Sequence, residues 1–147
     1  CKSVEYTETR PNAEKMLLTH DAALLIGNAA LQIPPQKRYV YDLALEWDRF
    51  TGLPFVFAFW AVRDGVDLGD SLEAFYRSRE EGLAAIDEIS LAYSDRLGLK
   101  PSEIHSYLTC NLDYSLDEKN LKGLQLFLSL AHGSNLVDEP AVPLTFL

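Results

Sequence analysis

Hydrophobic positions in the first thirty residues occur in short runs separated by polar turns. Residues 3–9 (SVEYTET) alternate between polar and apolar side chains, as a half-buried strand does. Residues 11–18 begin with proline and end in apolar residues, a pattern typical of a short helix. Residues 21–26 (DAALLI) then form an apolar run that stops at Gly27 and Asn28. A strand, a helix and a strand in this order predict a parallel βαβ unit.

The most aromatic stretch of the chain is TGLPFVFAFWAVR at residues 51–63, which follows a predicted short strand or extended segment at 39–43 and a short helix at 45–50. Proline is tolerated at the start of a strand, and a continuous apolar run indicates a strand covered on both faces, with its aromatic side chains in the core. The run is too short to span a membrane, which requires about 20 apolar residues. A second interpretation treats TGLP as a hinge turn beside a ligand-binding cleft.

Four amphipathic helices are predicted after residue 63. Residues 70–73 (DSLE) resemble a capping box and residues 115–118 (SLDE) form a complete one, while Gly98 and Gly133 suit helix ends. The helices are expected after residue 70, over residues 87–97, from Pro101 onward, and from Ser115 to Gly133. Strands crowd the first half and helices the second, so the order of elements predicts that further sequence precedes Cys1.

Composition and charge narrow the classes of function. The chain has 147 residues, of which 48% are hydrophobic and 24% charged, as expected of a folded domain. Its formal net charge of −9 argues against binding to nucleic acid or to an anionic membrane, although local donors can still hold a small anion. Cys1 and Cys110 form no CxxC motif, and reduced thiols in a cytoplasmic protein are expected.

Catalytic signatures are absent from the sequence. The three histidines are scattered, no metal-ligand spacing occurs, and the carboxylates fall on predicted helix surfaces or caps. We therefore assign no catalytic residue. Gly27 and Asn28 have two interpretations of equal weight: a ligand contact at the end of a parallel strand, or a turn that merely requires a positive φ.

Several segments occur together in this chain: DAALLIGNAAL at 21–31, YVYDLALEWDRFTGLPFVFAFWAVR at 39–63, RLGL at 96–99 and YLTCNLDYSL at 107–116. Together they resemble the MqnA family, the chorismate dehydratases of the futalosine route to menaquinone. The segment at 39–63 is the most specific, and the resemblance extends to about residue 136.

The resemblance implies an α/β fold of the periplasmic-binding-protein-like type 2, with two lobes around a ligand cleft and with the N-terminal part of the protein missing from this chain. Residues 1–52 are expected to form part of the middle α/β lobe. Residues 53–147 are expected to supply a crossing strand and C-terminal helices to the first lobe.

The resemblance also implies a hydro-lyase that converts chorismate to 3-[(1-carboxyvinyl)oxy]benzoate with no metal or other cofactor. The partner would be this small anionic substrate rather than nucleic acid or a membrane, and the location cytoplasmic. Residues 1–147 alone are expected to be inactive. The expected substrate-binding positions are Gly27, Asn28, Thr51, Gly52, Leu53 and Pro54.

One position departs from the family pattern, because an aspartate is expected where this chain has Asn28. Two other functions remain open. The first is a solute-binding receptor with the same fold and no chemistry, because a fold does not determine function. The second is the related dihydroxynaphthoate synthase, which has a similar GLP turn but a different sequence after it.

Overall fold

A computed structural model describes residues 4–33 and 39–138 of the chain, and every regular element in these ranges is helical. The elements are α1 (Ala13–Met16), α2 (Asn28–Leu31), α3 (Leu43–Thr51), α4 (Ser71–Ala84), α5 (Ile86–Leu97), α6 (Pro101–Ser106), a π-helical turn (Tyr107–Asn111) and α7 (Glu118–Gly133). The predicted helices after residue 63 are confirmed to within a few residues at their starts.

The predicted strands are wrong for the described residues, and with them the α/β two-lobe fold. Residues 4–9, 21–26, 39–42 and 53–63 form no strand. A strand is stable only when its backbone groups pair with a neighbouring strand. No pairing of this kind occurs in the described part of the chain. These segments therefore have the apolar pattern of strands but do not form them. Leu43, the last residue of the strand or extended segment predicted at 39–43, instead opens helix α3.

The aromatic run after Pro54 is also not the buried core that was predicted. Phe57 is 71% exposed and Trp60 is 80% exposed, although the Trp60 ring packs on Phe75 at 4.7 Å. The buried hydrophobic residues among those described are Ile104, Leu124 and Ala131, all on helices. The core therefore lies where helices pack.

Contacts divide the chain into two compact units. The first contains the described residues within Cys1–Arg38 together with Ala85–Leu108, and the second contains Tyr39–Ala84 with the described residues from Thr109. This division differs from the predicted boundary between residues 52 and 53, which concerned lobes of a longer protein and stays a prediction.

In the first unit, α5 packs on α6, and Gly98 lies in the short connection between them. This residue adopts a left-handed conformation (φ 65°, ψ 27°), and its N–H donates to the carbonyl of Ser94 over 2.9 Å. The Ser94 hydroxyl donates in turn to the Leu99 carbonyl over 2.8 Å. Gly98 thus ends α5 as the sequence predicts, because glycine alone adopts this conformation without strain.

In the second unit, α7 begins at Glu118 and is capped by Asp117, whose carboxylate accepts from the N–H groups of Lys119 and Asn120. The predicted capping box at Ser115 is therefore wrong. Aspartate is as good an N-cap residue as serine, and its position two residues later decides the helix start. None of the described helices combines the length and apolar character that a membrane crossing requires.

Candidate functional site

The predicted site residues lie in two local structures, one in each unit. Gly27 and Asn28 belong to the first unit, and the turn from Thr51 to Pro54 belongs to the second.

Gly27 immediately precedes the four-residue helix α2. Its backbone has φ 66° and ψ −143°, a combination that is accessible almost only to glycine. Asn28 is exposed, and its side chain makes no hydrogen bond within the described ranges. The positive φ confirms the prediction of a special turn, whereas a ligand contact at this turn stays a prediction.

An open cavity of about 190 Å³ lies beside this turn, between the start of α1 and helix α2. The polar residues that line it include Asn12 and Gln32, whose side chains are both already hydrogen-bonded. Asn12 accepts from the Lys15 N–H over 3.0 Å, and Gln32 donates to the Leu97 carbonyl over 2.8 Å. Because these groups already serve α1 and α5, the cavity shows no arrangement that indicates catalysis.

The turn after α3 has a closely defined shape. Gly52 is left-handed (φ 69°, ψ 15°), and its N–H donates to the Asp48 carbonyl over 2.7 Å. The Thr51 hydroxyl donates to the Trp47 carbonyl over 2.8 Å and accepts from the Leu53 N–H over 3.1 Å. Thr51 therefore shapes the turn with its own side chain, and a hinge role for this turn stays a prediction.

The far end of the turn is held by Trp47 and by helix α7. The indole Nε1 of Trp47 donates to the Pro54 carbonyl over 3.2 Å. The Trp47 ring also meets Phe55 and Phe127 edge-on, with centroids 5.7 and 5.9 Å away. Aromatic pairs of this kind add to the stabilisation from burial. The proposed hinge is thus part of a small aromatic cluster.

A polar network in the second unit was not anticipated from the sequence. Asn120 is 5% exposed, and its Nδ2 donates to Asp113 Oδ2 over 2.9 Å and lies within 3.3 Å of the Ser115 carbonyl and of Asp117 Oδ1. The pKa of Asp113 is lowered mainly by the hydrogen bond from Asn120, and to a smaller extent by that from the Ser115 N–H. One sequence feature could have predicted this network. Asn120 is a polar residue on the buried stripe of a predicted helix, and it follows closely after the motif YLTCNLDYSL.

The histidines do not assemble an acid–base site in the described structure. His105 Nε2 lies 3.4 Å from Asp87 Oδ1 at the surface of the first unit, and His20 contacts its neighbour Thr19 and the Met16 carbonyl. No group of three or more His, Cys, Asp or Glu side chains could hold a metal ion within residues 4–33 and 39–138. Cys110 is an exposed free thiol, while Cys1 lies outside the described residues.

Comparison with known proteins identifies the family. The family model described as menaquinone biosynthesis matches residues 2–133. The chorismate dehydratase of Thermus thermophilus is 33% identical over an alignment of 138 residues, which covers 82% of this chain and 51% of the relative. The chain therefore spans about half the length of this curated relative. Since the match to the family model extends over most of the sequence and agrees with the resemblance of its motifs, the chain belongs to the menaquinone biosynthesis family.

Proposed function

We propose that the protein containing this chain is a hydro-lyase that removes water from chorismate to give 3-[(1-carboxyvinyl)oxy]benzoate during menaquinone biosynthesis. The observation that carries the proposal is the 33% identity to a curated chorismate dehydratase, in an alignment that covers 82% of the chain. The match to a menaquinone biosynthesis family model over residues 2–133 supports the same pathway.

The chemistry requires little from the protein beyond orientation and one proton transfer. Loss of water makes the ring aromatic, so the products are strongly favoured. The enzyme gains most by holding the dianionic substrate in a reactive conformation beside a proton acceptor. This task suits backbone turns of defined shape, since they hold groups in contact with the substrate at little entropic cost.

Two such turns are our proposed substrate-binding elements. The first is Gly27–Asn28, where an exposed amide side chain follows a glycine with positive φ. The second is Thr51–Pro54, whose conformation is determined by local hydrogen bonds and by a left-handed Gly52. Neither is assigned a catalytic role. A cytoplasmic location is the corresponding expectation, because it follows from the proposed pathway.

The test of the function uses the intact protein and purified chorismate. We expect chorismate to disappear and an aromatic product to form, measured by ultraviolet absorbance and by chromatography against the authentic benzoate. Residues 1–147 alone are expected to show no turnover. Conversion by this chain alone would contradict that expectation.

Two other outcomes would replace the proposal. Turnover of cyclic dehypoxanthine futalosine, with none of chorismate, would identify the dihydroxynaphthoate synthase instead. Chorismate binding without conversion at several pH values would indicate a solute-binding protein.

A further prediction concerns Asn28. Asn28→Ala removes an exposed amide, and we expect KM for chorismate to rise roughly 2- to 10-fold, the usual effect of one lost hydrogen bond. Asn28→Asp restores the residue expected in the family and should keep KM close to the wild-type value. Steady-state kinetics of the intact protein measure both. Equal KM values for all three proteins would remove Asn28 from the binding site.

A further inference from the structure

Helix α7 approaches the proposed substrate-binding turn closely at Gly123. This glycine is buried, and a Cβ atom built on it would overlap the Pro54 carbonyl oxygen. The same Cβ would lie 3.4 Å from the Pro54 carbonyl carbon and 3.6 Å from the Leu53 Cβ. Because the overlapping atoms belong to the backbone, no side-chain rotation relieves the clash. Only glycine allows the helix to sit this close to the turn.

The Pro54 carbonyl is held from a second direction by Trp47, whose indole N–H donates to it over 3.2 Å. Phe127 lies four residues after Gly123 and therefore on the same face of α7. Its ring packs edge-on against Trp47 and against Phe55, at 5.9 and 5.0 Å between centroids. The same stripe of α7 thus meets both the turn and the indole that binds it.

From this arrangement we propose that Gly123 and Trp47 are positioning residues for substrate binding. Together they set the orientation of the Pro54 peptide group, and through it the position of the turn from Thr51 to Pro54. The inference rests on the proposed function, in which this turn contacts chorismate. It gives Gly123 and Trp47 a role in substrate binding that acts through the Pro54 peptide group.

The first test is Gly123→Ala in the intact protein, compared with Gly82→Ala. Gly82 lies inside helix α4 of the same unit, and a Cβ there would meet nothing within 4 Å. Both substitutions make the helix intrinsically more favourable. Because the turn is proposed to bind chorismate rather than to take part in the chemistry, we expect kcat/KM to fall roughly 10-fold for Gly123→Ala, mainly through KM, as when one or two hydrogen bonds to a ligand are lost. Gly82→Ala should leave both constants unchanged.

The second test removes the hydrogen bond from Trp47 while keeping an aromatic ring at this position. Trp47→Phe keeps an aromatic ring beside Phe127 but loses the donor to Pro54, and KM should rise roughly 2- to 10-fold. Trp60→Phe is the matched control, because Trp60 is 80% exposed and makes no hydrogen bond among the described residues. This control should retain the wild-type KM even if its unfolding temperature changes.

A third measurement does not depend on activity. In intact protein labelled with 5-fluorotryptophan, the ¹⁹F resonance that disappears in Trp47→Phe belongs to Trp47. Gly123→Ala should shift this resonance and Gly82→Ala should not. An unshifted resonance in a folded Gly123→Ala protein would overturn the inference, as would wild-type KM values for both Gly123→Ala and Trp47→Phe. If the wild-type protein does not convert chorismate, the proposed function fails, while the ¹⁹F comparison still decides whether Gly123 positions the turn.

Discussion

Two glycines in this chain occupy nearly the same backbone conformation in different settings. Gly52 follows α3 with φ 69°, and Gly98 follows α5 with φ 65°. In both cases a Cβ would meet nothing within 4 Å, so an alanine would be penalised only for its left-handed backbone. That penalty is about 1 kcal/mol. Comparing alanine substitutions at these two glycines therefore separates the effect of backbone strain from any effect on substrate binding.

Gly52→Ala and Gly98→Ala should each lower the free energy of unfolding by about 1 kcal/mol, because the strain is the same at both positions. Only Gly52 belongs to the proposed substrate-binding turn, so only Gly52→Ala should also raise KM for chorismate. Urea denaturation and steady-state kinetics of the intact protein measure the two effects. A similar rise in KM for both variants would show that strain alone impairs the enzyme.

Asp113 illustrates how a buried amide tunes an exposed carboxylate. Asn120 donates to it over 2.9 Å, and the pKa of Asp113 is lowered below its ordinary value of 3.8 mainly for this reason. A lowered pKa in the folded state means that the unfolded state binds more protons in this pH range. The contribution of Asp113 to stability is therefore present above about pH 4, decreases as the pH falls below it, and is lost below the folded-state pKa.

We expect Asp113→Asn to flatten the dependence of stability on pH below about pH 4, since the amide side chain has no charge to lose. Unfolding temperatures of wild type and variant between neutral and acidic pH make the comparison. Asp64→Asn provides the control, because Asp64 is exposed and makes no hydrogen bond in the described structure. An identical slope for wild type and Asp113→Asn would contradict the linkage.

At the scale of elements, helix α7 organises the second unit. It contributes the buried Asn120, Gly123, Leu124 and Ala131, and it packs against the turn after α3. Its start depends on Asp117, which accepts from two backbone N–H groups over 2.8 and 2.9 Å. A cap of this kind stabilises a helix by satisfying donors that have no partner within it.

Asp117→Ala should lower the free energy of unfolding by about 1 kcal/mol, the usual cost of losing an N-cap. Asp117→Ser keeps a side-chain acceptor and should recover most of the loss. Urea denaturation of the intact proteins provides the values. If serine were no better than alanine, the contacts of Asp117 with the neighbouring network, rather than the cap itself, would account for the loss.

At the scale of the whole molecule, the comparison covers only part of the relative. The alignment with the Thermus thermophilus dehydratase covers 51% of that protein, so roughly half of the relative has no counterpart here. The aromatic run at residues 57–62 is largely exposed in this chain, although its composition suits a core. Activity measurements therefore require the intact protein.

The sequence by itself determined the family and most helices after residue 63. The motifs at 21–31 and 39–63 were sufficient for the first, because their order and composition are specific. Capping residues and apolar periodicity were sufficient for the second, because helices are stabilised by groups close together in the chain. The glycines at the ends of α3 and α5 belong to this local class.

Only the tertiary structure showed that the predicted strands do not form, that Phe57 and Trp60 are exposed, and which residues the turn contacts. A strand requires partners that are distant in sequence. The apolar pattern at residues 53–63 therefore could not reveal that strand pairing is absent from the described chain. The contact between Gly123 and Pro54 likewise joins residues far apart in sequence. No local pattern marks Gly123, because its lack of a side chain matters only once the Pro54 carbonyl lies against it.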